Sequence, residues 1–476
     1  MGNADLELCY LGAAEAIAAF KARRISPVEV LQAQIARVEA VNDKLNVLTY
    51  KYFDRALEQA KAAEKVYMNP AATPRPLEGL SCAIKDWHSV KGEITTYGSK
   101  VYRDFRPDQT APTVQRLLDA GAIMHCRTTT PEFAHSGITH SPLWGVSRNP
   151  WNTRYSPGGS SGGAGASLAA GFTTLADGTD GGGSVRIPAS INGVYGYKAP
   201  WARNPTDREH PGETLLHYGP LARSVADAAL MQNVMSGPHP DDLYSLRDRV
   251  VLPASFEGIK GWRVALSMDL GYFEVDPEVQ ANTRAAAERF RSLGCEVEEV
   301  DLGWTDEVEK SWRITWESLF HALAGNLLPQ WRNELDPFVV KILENGARHT
   351  VADFYAMHRV RYEMYARLEP ILQRCNVLIC PTAAIPSCVA ERSNEDPLVI
   401  NGKQRTPYTG WFMTYPFNML SQCPVMSVPS GFSPSTGVPT GLQIVGRTYD
   451  DLSVFRAAAA LESAGSHWKE RQRPAL

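Results

Sequence analysis

The feature that most constrains the fold of this chain is a glycine- and serine-rich stretch over residues 156–188, SPGGSSGGAGASLAAGFTTLADGTDGGGSVRIP. It contains two glycine clusters, and the residues between them predict a small-residue helix followed by a strand. Glycine clusters let a backbone turn sharply and expose N–H groups that no side chain shields. The stretch therefore predicts two tight loops that hold an anionic group.

Two common motifs match the first cluster only in part. A phosphate-binding loop has a lysine after its second glycine, whereas here Gly163 is followed by Ala164. A nucleophile elbow needs a strand that runs into its serine, but the residues before the cluster, NPWNTRYSP, are polar and interrupted by proline. Neither a nucleotide site nor an α/β-hydrolase elbow is favoured.

Composition narrows the class of protein. The chain has 476 residues, of which 44% are hydrophobic and 21% charged, as in ordinary soluble globular proteins. Its net charge of -4, without a Lys/Arg-rich run, argues against nucleic acid as a ligand. The N-terminal residues lack a secretory pattern, and the eight cysteines lack zinc-finger spacing. We expect a cytoplasmic protein with free thiols, no membrane segment and no cofactor.

Periodicity outside the glycine clusters predicts alternating helices and strands. Ser26, Pro27 and Glu29 form a capping-box pattern that predicts the start of a helix. Short apolar runs and helical spacing predict strands near 83–84, 122–124, 173–175, 262–266 and 296–300, and a helix over 277–293.

Several segments together resemble the amidase signature family, which includes fatty acid amide hydrolase and the A-type chain of glutamyl-tRNA amidotransferase. They are the 156–188 stretch, the IKD of residues 84–86, GAIMHCRTTTPEFA, NPWN, INGVYGYKAP, TYPFNMLSQCPVMSVPSGF and GLQIVGR. The resemblance implies an α/β fold with a large twisted mixed β-sheet covered by helices on both faces. It also implies one domain over residues 1–476, with a catalytic core at about 70–210 and a variable substrate-covering region at about 300–380.

The resemblance assigns three catalytic residues. In the family a lysine lies 75 residues before a serine in a cis peptide, and a nucleophilic serine follows 24 residues later; Lys85, Ser160 and Ser184 reproduce both intervals. Ser184 is then the nucleophile, and Ser160 passes its proton to Lys85. A free lysine has a pKa near about 10.4, and burial can lower it by the roughly 3 units that a base at neutral pH needs. From the residues alone, a surface lysine paired with Asp86 stays an alternative.

The resemblance also assigns the oxyanion hole and its support. Gly181, Gly182 and Gly183 correspond to residues whose N–H groups stabilise the developing negative charge. The first of them, Gly181, stands where many relatives carry a bulkier residue. We expect Asp180 and Arg186 to pair beneath this loop, and Ser161 to assist through its hydroxyl.

The substrate pocket is less constrained by the sequence. Trp411 stands where glutamine-handling relatives carry an aspartate, three residues before Thr414, so an apolar or aryl group is favoured over glutamine. Thr130 and Trp316 are further pocket candidates, although Trp312, Trp316 and Phe320 share one helical face that core packing alone could explain. The histidines form no metal-ligand pattern, so no metal is expected.

These observations predict a serine hydrolase that cleaves an amide-type C–N bond in a small molecule, through an acyl-enzyme. Hydrophobic amides, aryl amides and carbamates all remain open as substrates, and side activity on esters is expected. The alternative is a non-catalytic or partner-dependent subunit of the amidotransferase A type. A homodimer is left open by the sequence.

Overall fold

A computed structural model describes residues 3–208, 210, 212–470 and 472–476. Its strands are β1 (Leu48–Lys51), β2 (Ser81–Lys85), β3 (Ile123–Thr128), β4 (His140–Ser141), β5 (Gly145–Val146), β6 (Leu175–Asp180), β7 (Tyr195–Lys198), β8 (His217–Ala222), β9 (Arg263–Leu266), β10 (Glu296–Glu299), β11 (Val377–Pro381), β12 (Leu398–Ile400), β13 (Lys403–Arg405), β14 (Val425–Phe432) and β15 (Pro439–Val445).

The helices alternate with these strands along the chain. They are α1 (Asn3–Cys9), α2 (Ala13–Lys21), α3 (Pro27–Leu45), α4 (Phe53–Met68), α5 (Pro112–Asp119), α6 (Gly162–Ala170), α7 (Arg186–Asn192), α8 (Val225–Met235), α9 (Pro277–Ser292), α10 (Glu307–Ala324), α11 (Leu328–Trp331), α12 (Pro337–Gly346), α13 (Val351–Arg374), α14 (Pro416–Met419) and α15 (Asp451–Ser463). The strands predicted near 83, 123, 175, 264 and 297 and the helix predicted from 277 are confirmed.

The helix predicted from the capping box is α3. The backbone N–H of Glu29 donates to Ser26 Oγ at 3.2 Å, and the N–H of Ser26 donates to Glu29 Oε2 at 2.7 Å. Pro27 occupies the first helical position, where its missing N–H costs nothing. Local side-chain chemistry therefore fixes where this helix begins.

Eleven strands form one mixed sheet in the order β1-β3-β2-β6-β8-β7-β14-β15-β11-β9-β10. The pairs β2–β3, β2–β6, β9–β10 and β9–β11 are parallel, and the others are antiparallel. Alternate residues of β2 enter different apolar cores: Cys82 and Ile84 one core, Ala83 another. Both faces of the sheet are thus covered, and the predicted α/β fold class is confirmed.

The sheet topology places the two glycine clusters at one edge. The parallel strands β2 and β6 are neighbours, and ligands bind beyond the carboxyl ends of such strands. Lys85 ends β2, Asp180 ends β6, and the second cluster leads from β6 into α7. The first cluster leads into α6, whose small residues are all buried.

Composition also led to expectations about cysteines, membrane-spanning helices and metal ligands. All eight cysteines are free, as predicted, and all eight are also buried. Among the described helices, none combines the length and the apolar character needed to cross a bilayer. Within the same residues, no group of three or more His, Cys, Asp or Glu side chains is arranged to hold a metal ion.

Candidate active site

The structure brings Lys85 and Ser160 into direct contact. Lys85 Nζ lies 2.7 Å from Ser160 Oγ and 2.7 Å from Thr179 Oγ1, and all three residues are buried. Burial lowers the pKa of Lys85 to about 7, against the opposing effect of the carboxylates of Asp177 and Asp180. A substantial fraction of this lysine is therefore neutral near pH 7 and able to accept a proton.

Ser160 and Ser161 link the two glycine clusters. The Gly159–Ser160 peptide bond is cis, as the resemblance implied. The backbone N–H of Ser161 donates to the carbonyl of Ser184 at 3.1 Å, and Ser161 Oγ lies 3.4 Å from the carbonyl oxygen of Thr179. Ser161 thus acts on the site through hydrogen bonds that hold the turn bearing Ser184.

Ser184 lies in the turn between β6 and α7 and lines a cavity. It is 9% exposed, whereas Lys85 and Ser160 are fully buried. Within the described part of the chain its hydroxyl forms no hydrogen bond, including none to Ser160. Hydrogen bonds between catalytic groups often tighten only when substrate binds.

Asp180 and Arg186 pair beneath the turn at 0% side-chain exposure. Arg186 donates to both oxygens of the Asp180 carboxylate, at 2.8 and 2.9 Å. Its guanidinium also donates to Gln443 Oε1 at 2.7 Å, to Asn418 Oδ1 at 2.7 Å and to the carbonyl of Thr414 at 2.9 Å. Burial alone would raise the pKa of Asp180, but Arg186 holds it well below its usual range.

The three glycines before Ser184 do not play equal parts. The N–H of Gly183 donates to Asp180 Oδ1 at 2.9 Å. This N–H is therefore not free to stabilise an oxyanion, which was the role expected for it. The N–H groups of Gly181, Gly182 and Ser184 have no acceptor among the described residues. Gly183 is instead required for its conformation, because its φ is +126° and a Cβ there would lie 2.0 Å from Thr414 Oγ1.

Two tryptophans of α10 pack directly on this loop. A Cβ on Gly181 would lie 2.7 Å from the Trp316 ring, and one on Gly182 would lie 2.7 Å from the Trp312 ring. The Trp312 indole N–H also donates to the carbonyl of Gly181 at 3.2 Å, and the two indoles stack 5.2 Å apart. Glycine at 181 therefore makes room for Trp316, and the aromatic stripe borders the site.

A small cavity of about 10 Å³ lies in front of Ser184. Its walls are formed by the turn that bears Ser184, the segment after β3, helix α10 and the segment before α14. The lining residues are Ala134, His135, Ser136, Gly137, Gly182, Ser184, Ile187, Trp312, Trp316, Tyr408 and Phe412.

Two of the three pocket residues expected from sequence are not among those that line this cavity. Trp411 is buried against Phe412, at a ring distance of 4.5 Å, and beside Gly137, so Phe412 rather than Trp411 faces Ser184. Thr130 is buried, with no hydrogen-bond partner for Oγ1 among the described residues. Trp316 does line the cavity.

A second, larger cavity of about 400 Å³ lies beside the C-terminal end of α10. Phe320 lines this cavity and packs on Trp316 at 4.6 Å between ring centroids. Phe133, the neighbour of Ala134, lines it as well. The remaining lining residues are Trp87, Tyr97, Tyr102, Phe105, His210, Leu323 and Ala324.

Sequence reasoning missed several residues that complete the site. Thr179 shares Lys85 Nζ with Ser160, and Thr414 Oγ1 donates to the carbonyl of Gly182 at 2.5 Å. Asn418 and Gln443 hold Arg186 from more than 200 residues away. The signal for these residues was present, because they lie in the GTD, TYPFN and GLQIVGR segments that carry the resemblance.

Lys85, Ser160 and Ser184 thus lie together on a fold of the amidase-signature type. The family model for Amidase matches residues 29–455, and the chain belongs to this family. It is 36% identical over 474 residues to an acylamidase of Rhodococcus erythropolis, covering 96% of each chain.

Two further comparisons extend the range of relatives. The chain is 32% identical to the A-type chain of the glutamyl-tRNA(Gln) amidotransferase of Anaeromyxobacter dehalogenans (strain 2CP-C), covering 97% of this chain and 98% of that one. The crystal structure of a bacterial aryl acylamidase of the amidase signature family matches with a TM-score of 0.90, at 30% identity and 97% coverage of both chains.

Proposed function

We propose that this protein hydrolyses an amide-type C–N bond through an acyl-enzyme on Ser184, with Ser160 and Lys85 as the proton relay. The contact that carries this proposal is the 2.7 Å approach of Lys85 Nζ to Ser160 Oγ. It joins a buried amine, whose pKa burial lowers to about 7, to a hydroxyl next to the nucleophile turn. An amide carbonyl is weakly electrophilic, so cleavage needs such an activated nucleophile.

The proposed first half-reaction moves one proton through the relay. As Ser184 Oγ bonds to the carbonyl carbon, its proton passes to Ser160 Oγ, and the Ser160 proton passes to Lys85 Nζ. The carbonyl oxygen becomes an oxyanion near the free N–H groups of Gly181, Gly182 and Ser184. Collapse of this intermediate breaks the C–N bond, and the relay returns the proton to the departing nitrogen.

The second half-reaction reverses these roles with water as the nucleophile. Lys85, through Ser160, takes a proton from water as its oxygen bonds to the acyl carbon. The relay then returns that proton to Ser184 Oγ as the ester bond breaks. The same steps serve an amide, a carbamate or an ester, because each presents an acyl carbon with a heteroatom leaving group.

The substrate is proposed to be a hydrophobic or aryl amide, or an aryl carbamate. Four of the eleven residues that line the cavity before Ser184 are Trp, Tyr or Phe, and none of the eleven carries a carboxylate or guanidinium. Aromatic side chains dominate the larger cavity beside the end of α10. Relatives named as an acylamidase and an aryl acylamidase agree with this class.

A glutamine-handling chain of the amidotransferase A type is the second candidate, because of the 32% identity to such a relative. Free glutamine carries an ammonium and a carboxylate, and burying unpaired charges is costly. The apolar lining in front of Ser184 offers them no charged partner among the described residues, which favours the hydrolase.

The test is a substrate panel of anilides, primary amides, aryl carbamates and esters, assayed with wild type, K85A and S184A. We expect K85A to lose at least about 100-fold in kcat/KM, the scale of acid–base catalysis. The control is K198M, which removes another buried lysine whose pKa burial lowers to about 7, but one that donates to the carbonyl of Cys423 at 2.8 Å. Equal rates for wild type and K85A would contradict the mechanism.

A further inference from the structure

A buried acid–base pair lies next to Lys85 and is not used by the reaction proposed above. We propose that Asp177, held by His88, is a positioning residue that anchors Lys85 and sets the pH below which the enzyme loses activity. This inference rests on the proposed function, because it takes Lys85 as the base.

The first contact fixes the backbone of the lysine. Strands β2 and β6 run in register up to Ala83, which pairs with Ala176. Beyond this pair, the Lys85 N–H donates to the Asp177 side chain, at 2.7 Å from Oδ1. Asp177 thereby fixes the point on the chain from which the Lys85 side chain reaches Ser160.

The second contact holds the carboxylate. His88 Nε2 lies 3.2 Å from Asp177 Oδ2, and both side chains are at 0% exposure. Neither ring nitrogen of His88 has a well-aligned hydrogen bond to the described residues, nor has Asp177 Oδ2. The ring also packs edge-on against Tyr218 at 4.9 Å, and Arg127 donates to the His88 carbonyl at 2.6 Å. His88 is thus fixed where it faces the carboxylate.

The charges around Asp177 and His88 determine how this pair changes the pKa of Lys85. Burial lowers the pKa of Lys85, and Asp177 opposes this more strongly than Asp180 does. Burial also lowers the pKa of His88. The carboxylates of Asp177 and Asp207 raise this pKa, whereas the positive charges of Lys85 and Arg127 lower it further. A neutral His88 leaves the Asp177 carboxylate as a negative charge that favours the ammonium form of Lys85.

The remaining charged groups are engaged elsewhere. Asp86 lies 3.8 Å from Arg127 and accepts the N–H of Thr96 at 2.9 Å. Asp180 is paired with Arg186. Asp177 is therefore the carboxylate best placed to keep Lys85 basic enough to remove a proton from serine, since a weaker base transfers protons less effectively.

The test is the pH profile of kcat/KM for D177N. Asparagine is isosteric, can still accept the Lys85 N–H, and offers an amide donor to the unprotonated ring of His88. Loss of the negative charge should move the acid limb of the profile to lower pH by about one unit, the lower end of the effect of a nearby opposite charge. Two units below the wild-type limb, D177N should then retain a roughly tenfold larger fraction of its own plateau activity.

The matched control is D207N. Asp207 raises the pKa of His88, accepts the Tyr218 hydroxyl at 3.1 Å and pairs with His210. Because its charge acts on His88 rather than on Lys85, we expect its removal to leave the limb in place. A limb that stays in D177N, or moves equally in D207N, overturns the inference. If D177N does not fold, D177S supplies a smaller neutral residue for the same measurement. Full activity in K85A would overturn the proposed function itself, whereas an inactive K85A with an unmoved D177N limb would overturn only the role of this pair.

Discussion

Replacing Asp180 with asparagine should destabilise the folded protein by about 3–5 kcal/mol, the cost of removing one partner from a buried ion pair. Three N–H donors contact each oxygen of the Asp180 carboxylate: those of Gly183, Arg186 Nη2 and Asn418 reach Oδ1, and those of Val185, Arg186 and Arg186 Nε reach Oδ2. An amide keeps only one acceptor, so either orientation leaves three donors facing an NH2 group. The buried guanidinium then lacks its counter-charge.

The assay is urea unfolding of wild type, D180N and D248N. Asp248 pairs with Arg203 but its side chain is 74% exposed, so D248N should cost at most about 1 kcal/mol. Acid adds a second readout. Because the folded pKa of Asp180 lies below its unfolded value, its contribution is complete above about pH 4 and is lost as pH falls through the folded pKa. Wild type should therefore lose stability more steeply in acid than D180N; an equal loss for D180N and D248N at pH 7 would refute the reasoning.

Three further predictions concern activity. The kcat/KM of wild type should fall as pH drops below about 7, because Lys85 must be neutral to accept a proton and burial lowers its pKa to about 7; a flat profile from pH 5 to 8 would exclude it as the base. In G183A the Cβ would meet Thr414 Oγ1 at 2.0 Å and displace the neighbouring N–H groups of Gly182 and Ser184, so kcat should fall by at least about 100-fold, the scale of a lost oxyanion donor. G92A, also at positive φ (+76°) but with no atom within 4 Å, should keep near wild-type kcat, and equal losses would point to backbone strain alone. W316A should join the two cavities and raise kcat/KM for bulky anilides relative to small ones, measured as a ratio within each variant; an unchanged ratio would remove Trp316 from the substrate wall.

Local chemistry in the sequence predicted much of the fold. The capping box of Ser26 and Glu29 marks the start of α3, and short apolar runs mark β2 and β3. These signals depend on neighbours within a few residues. The order of the eleven strands depends on pairings such as β14 with β7, for which periodicity carries no information.

The candidate site also has residues that the sequence could identify and contacts that only the structure shows. The intervals between Lys85, Ser160 and Ser184 could be identified by resemblance, because all three lie in segments that match the family. Asn418 also lies in a matching segment, but nothing local in the sequence shows that it contacts Arg186, which is more than 200 positions away. Trp411 was assigned to the pocket by counting along the chain, but in the structure Phe412 faces Ser184, since one residue changes which way a side chain points.

The most direct test of the mechanism is covalent labelling of the nucleophile. A serine-directed fluorophosphonate is added to wild type, S184A and S160A, and the modified peptide is identified by mass spectrometry. We expect one adduct on Ser184 in wild type, none in S184A and much slower labelling of Ser184 in S160A. An adduct on Ser160, or unchanged labelling in S184A, would contradict Ser184 as the nucleophile.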